Sequence, residues 1–158
     1  MVDIVMRYLF SLPLIISLLA GPAWAAKAKH VDVKPKEGGA GISIVNLGKA
    51  RSYYPLSSRR SATIEVKGPG DLRILTRARF GPNAADELDY RIIYKTDGAE
   101  KLTFDVEGVT RSEDAKYKDA TLGKPGDSKD LTMKIGRGYH SIEFILADSL
   151  PNVSARFL

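Results

Sequence analysis

An antiparallel β-sandwich is the fold that this sequence predicts, on three observations. Apolar and polar residues alternate with period two in segment after segment, which places one face of each segment inside and the other outside. The segments are short and evenly spaced, with Gly, Pro, Asn and Asp between them. No stretch carries the apolar spacing of a long amphipathic helix. The expectation is all-β, jelly-roll or immunoglobulin-like, with seven or eight strands and a signal peptide in front.

Residues 1–25 read as the signal peptide. Arg7 is the basic flank, Tyr8 to Leu19 the apolar run, and Ala23-Trp24-Ala25 the small-x-small cleavage site. The run is too short for a membrane anchor and Pro13 interrupts it, so no transmembrane segment is expected after cleavage behind Ala25. A periplasmic or secreted protein follows. Residues 26–41 are Lys-rich and then Gly-rich and read as a flexible leader. Residues 42–158 form the sandwich domain.

Ile42 to Leu47 is the first strand of that domain, and Gly48 to Arg60 a polar loop carrying Tyr53, Tyr54, Arg59 and Arg60. Ser61 to Phe80 reads as strand, turn, strand. Ala62, Ile64 and Val66 point inward, Gly68-Pro69-Gly70 turns, and Leu72, Ile74, Thr76, Ala78 and Phe80 point inward again. An odd loop keeps both inner rows on one face, with Val66 opposite Leu72. After a loop at Gly81 to Glu87, with room for a helical turn, Leu88 to Thr96 is a strand with Leu88, Tyr90, Ile92 and Tyr94 inward. Asp97-Gly98 turns the chain, and Leu102, Phe104 and Val106 return opposite it, with a bulged three-residue loop expected. Gly108 to Ser128 is too long to be structureless in a compact domain, and Tyr117 and Ala120 to Leu122 are candidates for a hidden strand. Lys129 to Ile135 and Gly138 to Ala147 read as a hairpin about Gly136-Arg137, and Val153, Ala155 and Phe157 as a terminal strand.

Composition narrows function by exclusion. The chain has 158 residues, no cysteine and a formal net charge of +5, which removal of residues 1–25 leaves unchanged because Arg7 and Asp3 go together. Disulfides, thiolate metal sites and cysteine nucleophiles are ruled out. Two histidines, His30 and His140, supply neither a metal cluster nor a triad, so no metal site, catalytic residue or cofactor is expected. Asp86/Glu87/Asp89, Glu113/Asp114 and Asp127/Asp130 pair carboxylates without diagnostic spacing. Asn152-Val153-Ser154 matches a glycosylation acceptor.

The positive charge is patterned. Arg73, Arg77 and Arg79 share outward parity, and Arg91 and Lys95 join them from the next strand. Guanidinium forks suit carboxylate, phosphate or sulfate. Tyr53, Tyr54, Arg59 and Arg60 could extend that face with stacking and hydrogen bonds at a loop edge. The same cations have a plainer use, as cross-strand partners for Glu65, Asp89, Asp105 and Glu107. Leu75 and Ile93 lie among them, which implies that another sheet segment, the 108–128 loop or a partner covers part of this face.

The Glu65-Val-Lys-Gly-Pro-Gly-Asp-Leu-Arg73 stretch and the Leu131-Thr-Met-Lys-Ile-Gly-Arg-Gly-Tyr-His-Ser-Ile-Glu-Phe144 stretch resemble those of exported bacterial β-sandwich accessory domains, of the carbohydrate-binding-module kind. The resemblance spans about Ile42 to Leu158. It implies a sandwich and assigns no site residue. The leading expectation is a non-catalytic envelope module that binds an anionic glycan or an envelope protein through the Arg73–Lys95 face, with no nucleic acid as partner. A structural subunit or assembly factor is the alternative, and a hydrolase built on loop carboxylates comes last.

Overall fold

The computed structural model describes residues 30–149 and 151–158. The expected signal peptide and cleavage site lie outside them. The described chain is all-β, with one 3-10 turn. Its strands are β1 (Ile42–Asn46), β2 (Lys49–Leu56), β3 (Ala62–Phe80), β4 (Leu88–Thr96), β5 (Leu102–Val109), β6 (Ala115–Tyr117), β7 (Lys124–Pro125), β8 (Lys129–Leu146) and β9 (Val153–Phe157). They form a single antiparallel sheet in the order β5-β4-β8-β3-β9-β2-β1-β6, with β7 paired to β3. No helix among the described residues is long and apolar enough to cross a membrane.

The two expected hairpins at Gly68-Pro69-Gly70 and Gly136-Arg137 do not exist. Each is one long strand, and the two strands pair with each other. Val66 faces His140 and Leu72 faces Met133, in place of Val66 facing Leu72. Between the rungs Gly68–Gly138 and Gly70–Ile135 the register slips, so β8 carries one more residue than β3 there. One extra residue reverses which side chains point inward. Accordingly Leu131, Met133 and Ile135 face the core before it, and Ile142, Phe144 and Leu146 after it.

This irregularity is the corner of the sandwich. On the Gly138–Leu146 side of it, β8 pairs with β4 and β4 with β5; on the Gly70–Phe80 side, β3 pairs with β9 and β9 with β2. Phe144 lies beside Ala62 and Phe157 beside Ile74, positions about 40 Å apart along a straight strand at ~3.3 Å per residue. Their rings are 5.1 Å apart. The strand pair must therefore fold over on itself, which is how strands change sheets in a sandwich. Between the layers lies the main core, with Ile64, Ile92, Phe144 and Leu146 on one side and Ile74, Phe80, Val153 and Phe157 on the other. Burying each such side chain contributes roughly 1.5–3 kcal/mol. Thr76 and Tyr90, both buried, share a 2.7 Å hydroxyl hydrogen bond between the layers.

The remaining elements follow from local chemistry. Tyr94 faces Leu102 as expected, but the turn between them is closed by two residues, Asp97 and Gly98, both at positive φ, with the Ala99 N–H donating to the Thr96 carbonyl. The 81–87 segment contains no helical turn. The 108–128 region does hold the hidden strand: Tyr117 lies in β6, whereas Ala120–Leu122 is a 3-10 turn capped by the Asp119 carboxylate. Residues 32–37 of the leader lie along the sheet. The Val33 N–H donates to the Phe157 carbonyl, Lys36 and Thr63 are joined the same way, and Asp32 and Lys36 form ion pairs with Arg156 and Glu65.

A second, smaller cluster lies on the far side of β2. Ile44, Tyr53, Ala115 and Tyr117 form it, and Ile42, Leu75 and Leu122 pack against it. It explains Leu75: β1, β6 and the 120–122 turn cover that end of the outer face of β3.

Candidate functional site

The expected basic face is divided between the two layers: Arg73, Arg77 and Arg79 belong to β3 where it pairs with β9, and Arg91 and Lys95 to β4 where it pairs with the far end of β8. Arg73 is ion-paired to Asp130, Arg91 to Asp105, and Lys95 to Glu143. These are solvent-screened rungs between neighbouring strands. Arg77 is 4 % exposed and donates to the Gly126 carbonyl at 2.6 Å. It is thus withdrawn from any ligand surface, because the 108–128 region folds down over it. Tyr53 is buried in the smaller cluster, and Tyr54 packs against the main core. Neither forms a stacking edge. The rungs were foreseen only in part, since Asp130 and Glu143 replace Asp89, Glu65 and Glu107 as partners.

Arg79 and Arg59 have a different fate. They line a cleft of ≈ 420 Å³ together with Arg60, Tyr117, Asn152 and Ser154. Each wall has a local cause. Arg59 and Arg60 sit on the tight connection from β2 to β3, closed by reciprocal backbone bonds between Ser57 and Arg60. Arg79 comes from the covered end of β3, and its Nε donates to the Leu122 carbonyl at 2.8 Å, which fixes the guanidinium. Asn152 is tied to it by a 2.8 Å bond from the Arg79 N–H to the Asn152 carbonyl. Ile42, Pro55, Leu56 and Val153 supply the apolar part of the lining.

Glycine brings the leader against the cleft. A Cβ on Gly39 would come within 2.8 Å of Pro55 Cγ and 2.9 Å of Arg60 Nη1. Only a residue without a side chain passes so close.

The electrostatics are one-sided. Among the described residues, no carboxylate or imidazole lines the cleft. Among the described residues Arg59, Arg60 and Arg79 form no ion pair, in contrast to Arg73, Arg91, Arg111 and Arg156. Buried Arg77 lacks a carboxylate too, and its Nε has no partner. Burial pushes the Tyr117 hydroxyl pKa up, against the pull of Ser154, Arg79 and Arg77. That hydroxyl stays protonated at neutral pH and can donate. Three unpaired guanidiniums, a phenol and an amide above an apolar floor suit an anion on a ring.

The loop carboxylates have structural duties. Asp86 is paired to Arg111, Asp89 accepts the Gly108 N–H, Asp127 accepts the Thr110 hydroxyl, and Asp130 holds Arg73. No cluster of three or more metal-ligating side chains occurs among the described residues. His140 meets Asp97 at 2.7 Å and belongs to the turn after β4, in keeping with a structural histidine. The polar cleft residues absent from the expected set are Tyr117, Asn152 and Ser154. Asn152 and Ser154 stood out only as a glycosylation pattern.

No protein-family model matches the sequence, and no curated protein matches it. Solved structures do. The chain is similar to a 4-O-methyl-α-glucuronidase with specificity for decorated arabinogalactans, at 18 % identity and a TM-score of 0.46, over 87 % of this chain and 18 % of that one. It is similar to an exo-β-1,3-galactanase from Phanerochaete chrysosporium, at 15 % identity and 0.48, over 84 % and 30 %. It is also similar to a family 35 carbohydrate binding module from Clostridium thermocellum, at 13 % identity and 0.44, over 80 % and 97 %. The chain thus spans less than a third of either enzyme and nearly the whole of the module. With every TM-score below 0.5, the roles given to residues here rest on the cleft's own geometry.

Proposed function

We propose that this chain is an exported, non-catalytic binding module that holds the anionic group of a glycan in the Arg59–Arg60–Arg79 cleft. The observation that carries the reading is the placing of three guanidiniums, none with a carboxylate partner, around one apolar-floored cleft that holds no acid. Charge-assisted hydrogen bonds to a bound carboxylate or sulfate would hold the ligand, at about 1.5–3 kcal/mol each. The same lining supports a non-catalytic role, because general acid–base chemistry on a sugar needs a carboxylate pair. A protein partner has less to hold. The open edge of β5 presents Asp105 and Glu107, charges of the kind that discourage strand addition.

Calorimetry with a uronate-containing oligosaccharide and its carboxyl-reduced counterpart tests the reading. The acidic sugar binds and the reduced one does not, and Arg59→Gln with Arg79→Gln weakens binding by about tenfold or more per arginine. Arg73→Gln and Arg91→Gln leave it intact, as does Tyr139→Ala, which removes the exposed aromatic ring beneath Lys67. Binding indifferent to Arg59 and Arg79, or lost with Arg73 or Tyr139, would overturn the assignment.

A further inference from the structure

A second cleft, of ≈ 570 Å³, adjoins the first, and the two share Arg79 and Asn152. The backbone bond between those residues makes the divide a fixed rung. The second cleft is lined by Pro82, Asn83, Leu88 and Asp89 among others, with Arg79 on the rung as its one cation and Asp89 as its one carboxylate. Asp89 forms no ion pair among the described residues. One of its oxygens accepts the Gly108 N–H at 2.8 Å, which orients the carboxylate. A ligand that leaves Arg59 and Arg60 and crosses the rung at Arg79 therefore comes to an anion, Asp89.

Building on the anionic-glycan reading, we propose that the paired clefts read a charge pattern: an acidic sugar in the Arg59–Arg60 cleft followed by a neutral, hydroxyl-rich sugar beside Asp89. A carboxylate accepts hydrogen bonds from sugar hydroxyls and repels a second carboxylate. The amides of Asn83 and Asn152 serve hydroxyls equally well, and Leu88 and Pro82 offer contact to a ring face. The polymer recognised is one whose acidic residues are isolated among neutral ones. A continuous polyanion would place a charge against Asp89, and a neutral polymer would leave the arginines unused.

The test uses three probes on the full chain without its signal peptide: galacturonate, galacturonosyl-galactose and digalacturonate. The last two differ by a single carboxylate. The mixed disaccharide binds about tenfold tighter than digalacturonate, and Asp89→Asn brings the two to within about twofold by raising affinity for digalacturonate. Equal binding of the two disaccharides by the unmodified chain, or a ratio that Asp89→Asn does not move, overturns the charge-pattern proposal. Galacturonate alone fills only the first cleft. Where its binding is lost in Arg59→Gln with Arg79→Gln, the anionic-glycan reading stands whatever Asp89 does. Where it fails to bind, or binds regardless of those arginines, that reading falls as well.

Discussion

The hydroxyl pair of Thr76 and Tyr90 gives a quantitative test of how the layers are joined. Thr76 is fully buried, Tyr90 is 6 % exposed, and their oxygens lie 2.7 Å apart. Tyr90→Phe keeps the ring and strands the Thr76 hydroxyl in an apolar interior. Thr76→Val keeps the shape and strands the phenol. Each single change should cost about 1–3 kcal/mol, the penalty for a buried polar group left without a partner. The double variant removes both polar groups and should cost no more than either single one, so the cycle yields a coupling of at least about 1–3 kcal/mol. Urea unfolding with an unchanged slope measures it, and the melting temperature should fall by roughly 4 °C per kcal/mol for a domain of this size. Burial also pushes the Tyr90 pKa up to about 12, against the pull of Thr76. Its folded pKa thus exceeds its unfolded value of 10.0, so this contribution is complete below pH 10.0 and is lost as pH rises towards about 12. Single variants within about 0.5 kcal/mol of the parent, or strictly additive losses, would refute the buried pair.

Three further outcomes are expected. His140 is raised above 6.5, chiefly by its hydrogen bond to Asp97, and Asp97 is lowered below 3.8, chiefly by the Ser141 N–H and then by His140. The first contribution is complete below 6.5 and lost as pH rises through the folded histidine pKa. The second is complete above 3.8 and lost as pH falls through the folded aspartate pKa. A melting-temperature profile should therefore lose its acid and neutral shoulders in Asp97→Ala, and an unchanged profile would count against the pair. Gly68→Ala should destabilise by about 1–3 kcal/mol or more, since its Cβ would overlap the Gly136 carbonyl oxygen and lie 2.8 Å from Ile135 Cγ2; denaturant titration reads the loss. Gly39→Ala should weaken glycan binding several-fold, since its Cβ would lie 2.9 Å from Arg60 Nη1 and 2.8 Å from Pro55 Cγ and would displace the arginine; calorimetry reads the loss.

Which way a strand faces is a local property and was legible at several elements, whereas Lys49–Leu56, expected within a polar loop, is strand β2. Leu88–Thr96 and Val153–Phe157 have the expected bounds, and Val153, Ala155 and Phe157 are buried as their alternation requires. Pairing is not local. Even-numbered residues face inward from Ala62 to Phe80, and an odd hairpin loop and an unbroken strand give that same row. The change of parity across Gly136-Arg137 fits a two-residue turn and an extra bulge residue equally well. Only the partner strand decides between them, and each doubtful strand has the other as its partner. The site was hidden for a related reason. Alternation placed Arg73, Arg77 and Arg79 on one face, but which stayed free depended on Asp130, Gly126 and Leu122, residues more than 40 positions away.

The corner at Gly68 and Gly138 has a mechanical consequence. In a sandwich made from two separate sheets, the layers can part by giving up side-chain contacts alone. Here the same two backbones run through both, so prising the layers apart would mean unbending a hydrogen-bonded ribbon through its tightest point. A chain tugged by a polymer at its Arg59 end would pass the strain to the far layer along peptide bonds, and would yield as a whole.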